Sequence, residues 1–136
     1  MDDTYFLYTD GAARGNPGPA AVGAVLYRGH PRPEDLAAEV SRAIGHATNN
    51  VAEYQAVVDG LKMAADYRPA KLTLRSDSQL LVRQLLGSYR VRSAALKPLH
   101  RQVLELLEPI REVEIQHVPR EENRHADRLA NRALDS

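Results

Sequence analysis

Cysteine and tryptophan are absent, phenylalanine occurs once, and the positive and negative charges cancel to a formal net charge of zero. Without cysteine there are no disulfides and no thiolate metal ligands, a composition compatible with a reducing cytoplasm. With no tryptophan and a single phenylalanine, the aromatic platforms expected of a sugar-binding site are missing, which disfavours a two-carboxylate glycosidase. No apolar run approaches the length of a membrane span, and the acidic start Met1-Asp2-Asp3-Thr4 lacks the apolar centre of a signal peptide. A cytoplasmic protein with no membrane partner is therefore expected. A neutral chain is also a poor electrostatic match for nucleic acid if its charge is spread evenly.

The charge is not spread evenly. No Asp or Glu occurs between Arg83 and Leu104, where Arg83, Arg90, Arg92, Lys97 and Arg101 place five fixed positive charges beside His100. Such a chain can grip a polyanion with one face and hold cations with another. Its 136 residues suffice for a single domain, 1–136, with a core of its own.

The most informative stretch runs from Tyr8 through Asp10, Gly11, Gly15, Asn16, Pro17 and Gly18 to Pro19. Tyr5, Phe6, Leu7 and Tyr8 supply apolar or aromatic side chains to both faces of an extended segment, as a strand covered on both sides requires. Asp10 then ends a buried strand, and the glycines after it let a backbone or ligand come close with no Cβ in the way. A phosphate-binding P-loop would need Gly-Lys-Ser/Thr and a helix straight after, whereas residues 20–27 read as a second strand. An EF-hand would need oxygen ligands at the third and fifth loop positions and a glutamate at the twelfth, and none is there.

Residues 28–33 form a turn, and 36–45 read as a third strand completing an antiparallel meander. Thr48-Asn49-Asn50 announces a helix in which Asn49 or Asn50 serves as cap and Asn50 and Glu53 have capping-box spacing. That helix is expected to run to about residue 67, ahead of Pro69. Its stripe of Val57, Gly60, Leu61 and Ala64, extended back one turn, lands on Glu53, a carboxylate at the head of an apolar face. Lys71–Ser76 predicts a short strand, followed by Asp77 as a second strand-end carboxylate or an N-cap. The next helix is expected to bury Leu80, Leu81, Leu85 and Leu86 and to end at Gly87. A helix over 94–107, a strand over 112–118, a short loop and a final helix complete the chain. That last helix has Ala126, Leu129, Ala130, Ala133 and Leu134 at core spacing, with Asp127 next to the stripe. Strands joined through helices run parallel, so the pattern predicts an α/β fold: a mixed five-stranded sheet flanked by helices on both faces. Ligands in such sheets gather at the carboxyl ends of the strands.

Asp10, Glu53, Asp77 and Asp127 can thus converge. Brought together they repel, so they must be partly protonated or neutralised by cations. An all-oxygen donor set favours magnesium or manganese over zinc. Two such ions about 4 Å apart activate a water and stabilise the leaving oxygen of a phosphodiester. Hydrolysis of a nucleic-acid backbone is the leading expectation.

Four motifs, Thr9 to Pro19, Thr48 to Glu53, Ser76 to Gln79 and Asn123 to Ala130, make the chain resemble the type 1 ribonuclease H family over nearly its whole length. The resemblance implies the ribonuclease H-like fold and endonucleolytic cleavage of the RNA strand of RNA–DNA hybrids, leaving 3′-hydroxyl and 5′-phosphate ends. It implies Mg2+ or Mn2+ as cofactor, two ions with substrate bound, on Asp10, Glu53, Asp77 and Asp127, which match the family's catalytic carboxylates. Asn16, Asn49, Asn50 and Gln79 fall where the family contacts the minor groove of the hybrid, and Thr48 where it holds a DNA-strand phosphate. Small polar side chains suit a site that reads groove shape and 2′-hydroxyls instead of base identity.

Two features depart from many bacterial members. The loop before the last helix is shortened to residues 118–123 and lacks the histidine found there; Arg120 is its positional substitute. Always protonated, Arg120 can steer a phosphate or aid product release but is no general base. His117 and His125 flank the loop and read as structural. The chain also lacks a long basic protrusion, so binding is expected to rest on residues 83–101 and to be salt-sensitive. The short loop resembles that of actinobacterial, archaeal and plant-type members, which makes double-stranded RNA a candidate second substrate. A monomer is expected. The competing readings are a catalytically silent binding module, against which all four carboxylates speak, and a metal-dependent DNA nuclease, which the Asn and Gln positions disfavour.

Overall fold

Five strands are hydrogen-bonded in the order β3-β2-β1-β4-β5, in a computed structural model that describes residues 3–136. β1 (Thr4–Ala13), β2 (Gly18–Arg28) and β3 (Leu36–Ala47) form the antiparallel meander. β4 (Lys71–Ser76) and β5 (Glu112–His117) continue the sheet parallel to β1. The mixed five-stranded sheet expected from the sequence is present. β2 reads as an unbroken apolar run because helices cover it on both sides, and its residues from Ala20 to Tyr27 are all buried.

Three helices lie on one face: α1 (Asn49–Ala65), α2 (Gln79–Leu85) and α3 (Lys97–Leu107). Leu7, Leu26, Val57, Leu61, Leu72 and Val103 form the centre of the core between them and the sheet. The other face carries only α4 (Arg124–Leu134), over a thin layer of Val25, Tyr27, Ala126 and Leu129 with Phe6 and Tyr8 packed against it. Gly23 sets how close α4 can come: a Cβ there would lie 2.1 Å from the Ala126 carbonyl oxygen and 2.7 Å from the Ala130 nitrogen. Polar links fasten the same helix. The Ser41 hydroxyl donates to the Leu129 carbonyl at 2.6 Å, Glu39 pairs with His125 Nε2 at 2.5 Å, and Arg14 pairs with Asp135 at 2.5 Å.

Several boundaries differ from those read off the sequence. The cap of α1 is Thr48, whose hydroxyl accepts from the Val51 amide at 3.2 Å, so neither Asn49 nor Asn50 caps it and no capping box closes on Glu53. α1 stops at Ala65, two residues short of the expected end, and Arg68 turns the chain with a φ of 49°. α3 begins at Lys97 instead of residue 94, because Pro98 suits only the first helical turn. In α2, Leu80 and Leu86 are exposed, while Leu81, Val82, Gln84 and Leu85 are buried. A two-turn helix has one narrow inner face, and Gln84 can occupy it because its side-chain carbonyl accepts the Tyr54 hydroxyl at 2.6 Å.

Candidate active site

β1 does not end at Asp10. The strand continues to Ala13 against β2, while its parallel pairing with β4 stops at Thr9 and Ser76. Asp10 therefore projects where β4 has just left the sheet, with one side of its strand still paired. It is only 6% exposed. Beside it α1 presses onto β1 at Gly11, where a Cβ would stand 2.2 Å from the Ala52 carbonyl carbon and 2.4 Å from the Glu53 nitrogen. Glycine at that position is what lets a helix dock backbone to backbone on a strand. The Gly11 amide donates to Glu53 Oε1 at 2.7 Å and fixes the carboxylate, itself 7% exposed, above the strand.

Asp77 follows β4 directly. Ser78 caps α2, its hydroxyl accepting from the Leu81 amide at 3.3 Å, so Asp77 is released from that duty. Asn123 holds it instead. Its Nδ2 donates to the Thr9 carbonyl at 2.8 Å and to Asp77 Oδ2 at 3.2 Å, tying the loop before α4 to the ends of β1 and β4. Carboxylate oxygens of Asp10, Glu53 and Asp77 all lie within 4.8 Å of one another. Asp127, in the first turn of α4, lines the same pocket. Its Oδ1 accepts from Asn131 Nδ2 at 3.1 Å and faces the Arg120 guanidinium at 3.9 Å.

The electrostatics of this cluster are those of a site that wants positive charge. Burial, then the charges of Glu53, Asp77 and Asp127, push the Asp10 carboxyl up to about 10. Burial raises Glu53 to about 7, against the opposing pull of the Gly11 amide and Arg120. Among the described residues, Arg120 alone forms an ion pair with any of the four acids, and it is 81% exposed. Metal-free, the cluster lessens its own repulsion by keeping a proton on Asp10. A hard divalent cation with oxygen ligands would replace that proton, so the donor set fits magnesium or manganese.

The remaining residues singled out in the sequence surround this pocket unevenly. Asn49 lines it, and the Asn49 amide donates to Asn16 Oδ1 at 3.0 Å, joining the β1–β2 turn to the head of α1. Thr48, Asn50 and Gln79 are exposed at the starts of α1 and α2. His125 points away, bonded to Tyr27 and Glu39, and His117 is exposed at the end of β5. Arg90, Lys97 and Arg101 edge a cleft of about 710 Å3 between α2 and α3. Sequence reasoning missed Asn123 and Asn131 as supports of Asp77 and Asp127. Their signal was spacing: each lies four residues from Asp127 on either side.

Known proteins share this fold. Ribonuclease HI of Halobacterium salinarum is 47% identical over 128 residues, covering 94% of this chain and 63% of the relative. A bifunctional protein of Mycobacterium tuberculosis is 41% identical over 130 residues, covering 96% of this chain and 35% of its own length. The chain thus spans less than two thirds of either relative. The crystal structure of RNase H1 from Halobacterium salinarum superimposes with a TM-score of 0.91 at 45% identity, over 97% of this chain and 98% of that one. LC11-RNase H1, isolated from compost and crystallised in complex with an RNA/DNA hybrid, gives 0.87 at 36% identity over 96% of each chain. Sheet order and acidic pocket together define a ribonuclease H-like α/β protein. A family model described as reverse transcriptase-like matches residues 8–133. The chain belongs to the type 1 ribonuclease H family.

Proposed function

We propose that the chain is a metal-dependent endoribonuclease that hydrolyses the RNA strand of RNA–DNA hybrids. The observation that carries this reading is the convergence of Asp10, Glu53 and Asp77 within 4.8 Å, two of them buried and raised in pKa, with Asp127 in the same pocket. Mg2+ or Mn2+, two ions with substrate bound, would supply activation of a water and stabilisation of the leaving oxygen, giving 3′-hydroxyl and 5′-phosphate ends.

The chain's own groups orient and bind. The Gly11 amide holds Glu53, Asn123 holds Asp77, and Asn131 with Arg120 holds one oxygen of Asp127. Arg120, always charged, attracts the scissile phosphate and assists product release. Asn16, Asn49, Asn50 and Gln79 read the minor groove, and Thr48 takes a phosphate of the DNA strand. That LC11-RNase H1 was crystallised with an RNA/DNA hybrid supports the choice of substrate.

The test is cleavage of an end-labelled hybrid in Mg2+ and in Mn2+ by wild type and Asp10→Asn, with single-stranded and duplex RNA as controls. Cutting of the RNA strand is expected in at least one metal, falling to background in Asp10→Asn. Retained hybrid binding without cleavage in either metal would overturn the reading and leave a binding module.

A further inference from the structure

The exposed side of α4 carries a feature the nuclease site does not use. Arg124, Arg128 and Arg132 stand at four-residue spacing opposite the buried Ala126, Leu129 and Ala130, and Arg120 precedes them by the same step. Some exposed arginines are neutralised within the fold, as in Arg14 with Asp135, Arg32 with Asp35 and Arg42 with Asp59, whereas others among the described residues, such as Arg90 and Arg101 beside the cleft between α2 and α3, are not. Among the described residues, Arg124, Arg128 and Arg132 have no ion-pair partner. The row works against its own helix. Like charges four residues apart on one face repel, and Arg124 in the first turn opposes the positive end of the helix dipole. An external polyanion would relieve both.

The row is also continuous with the carboxylate cluster. Arg120, Arg124 and Arg128 line a single hollow of about 460 Å3 with Glu121 and Asp127. Arg128 and Arg132 then border the next hollow along the helix, which also holds His125 and Asp135. From Arg124 to Arg132 the helix advances about 12 Å. One strand of a duplex carries a phosphate about every 3.4 Å along its axis, so the row faces about three of them. It lies on the opposite sheet face from α2 and α3 and the basic cleft between them.

We propose that Arg124, Arg128 and Arg132 form a phosphodiester-binding track that takes the nucleic-acid backbone as it leaves the carboxylate cluster on the α4 side. The inference rests on the nuclease reading and adds to it a second flank of grip. Because guanidinium groups here meet phosphates and not bases, the track is indifferent to sequence and to sugar.

The experiment is fluorescence anisotropy of labelled duplexes in metal-free buffer, where binding is measured without cleavage, across a salt series. Wild type is compared with Arg124→Gln/Arg128→Gln and with Arg132→Gln, all checked for folding by circular dichroism. For a hybrid of about 18 base pairs, the double variant should bind about tenfold more weakly, with the slope of log K against log salt reduced by about 2. The single variant should reduce the slope by about 1. A DNA duplex of the same length should show the same losses. Unchanged affinity and slope in folded variants would overturn the proposal and make the row a solvated face. Failure of the nuclease reading is separately visible, since a wild type that never cuts a hybrid still yields the slope comparison.

Discussion

A carboxyl group that keeps its proton at neutral pH marks a place where the fold has left room for a cation. Asp10 is held up to about 10 by burial and then by its acidic neighbours, and Glu53 to about 7, chiefly by burial. In the unfolded chain both ionise near pH 4. Between that value and the folded one, the native state binds more protons than the unfolded state, so stability falls as pH rises. The metal-free protein should therefore melt at a lower temperature at pH 8 than at pH 5.5, as read by circular dichroism. Asp10→Asn removes the larger part of that dependence and should raise the melting temperature at pH 8 by about 5 °C. A melting temperature in Asp10→Asn that is unchanged or lower at pH 8 would contradict this account of the cluster. Gly11 is a different kind of requirement. Gly11→Ala drives a methyl group into the backbone of Ala52 and should destabilise the fold by about 3 kcal/mol in urea titration, with loss of the amide bond to Glu53.

Among the elements, α4 is fastened by more than apolar burial. Only Ala126, Leu129 and Ala130 of α4 are buried, and the helix is set by a missing Cβ at Gly23 and by polar links at both ends. Gly23→Ala should push α4 outward, costing about 3 kcal/mol and weakening hydrogen-exchange protection of α4 more than that of α1. Glu39→Gln, which breaks the pair with His125, should cost about 1 kcal/mol and act on the same helix. Much of the element plan was legible in the sequence, because the apolar runs of β1 and β2 and the stripe of α1 follow directly from which faces are covered. Glu53 was legible because a carboxylate interrupting an apolar stripe has no packing reason to be there. Asn123 was not, since an asparagine before a helix reads as a cap; here its side chain leaves the helix to bridge Thr9 and Asp77, and it is 1% exposed. The short α2 misled for want of length, as two turns do not establish a phase. The arginine row was hidden by its neighbours, because acids between the arginines cancel them in sequence though not in space.

At the scale of the whole molecule, a formal charge of zero conceals acids gathered into one pocket and bases set along its flanks. Binding a divalent cation to the folded state alone should raise the melting temperature, with about 2.7 kcal/mol of stabilisation at a hundred times the dissociation constant. The rise should be larger at pH 8 than at pH 5.5, where protons compete for the carboxylates, and calorimetry of wild type against Asp10→Asn would read it. The order of the elements along the chain has a consequence for how the molecule is made. Asn123 closes on Thr9 across 114 positions, and Arg14 meets Asp135 across 121. During synthesis three of the carboxylates emerge long before the helix that brings the fourth. A chain still on the ribosome, with α4 inside the exit tunnel, holds an unfinished acidic pocket and no arginine row beside it. The proposed site is therefore completed late, when α4 docks on the first three strands.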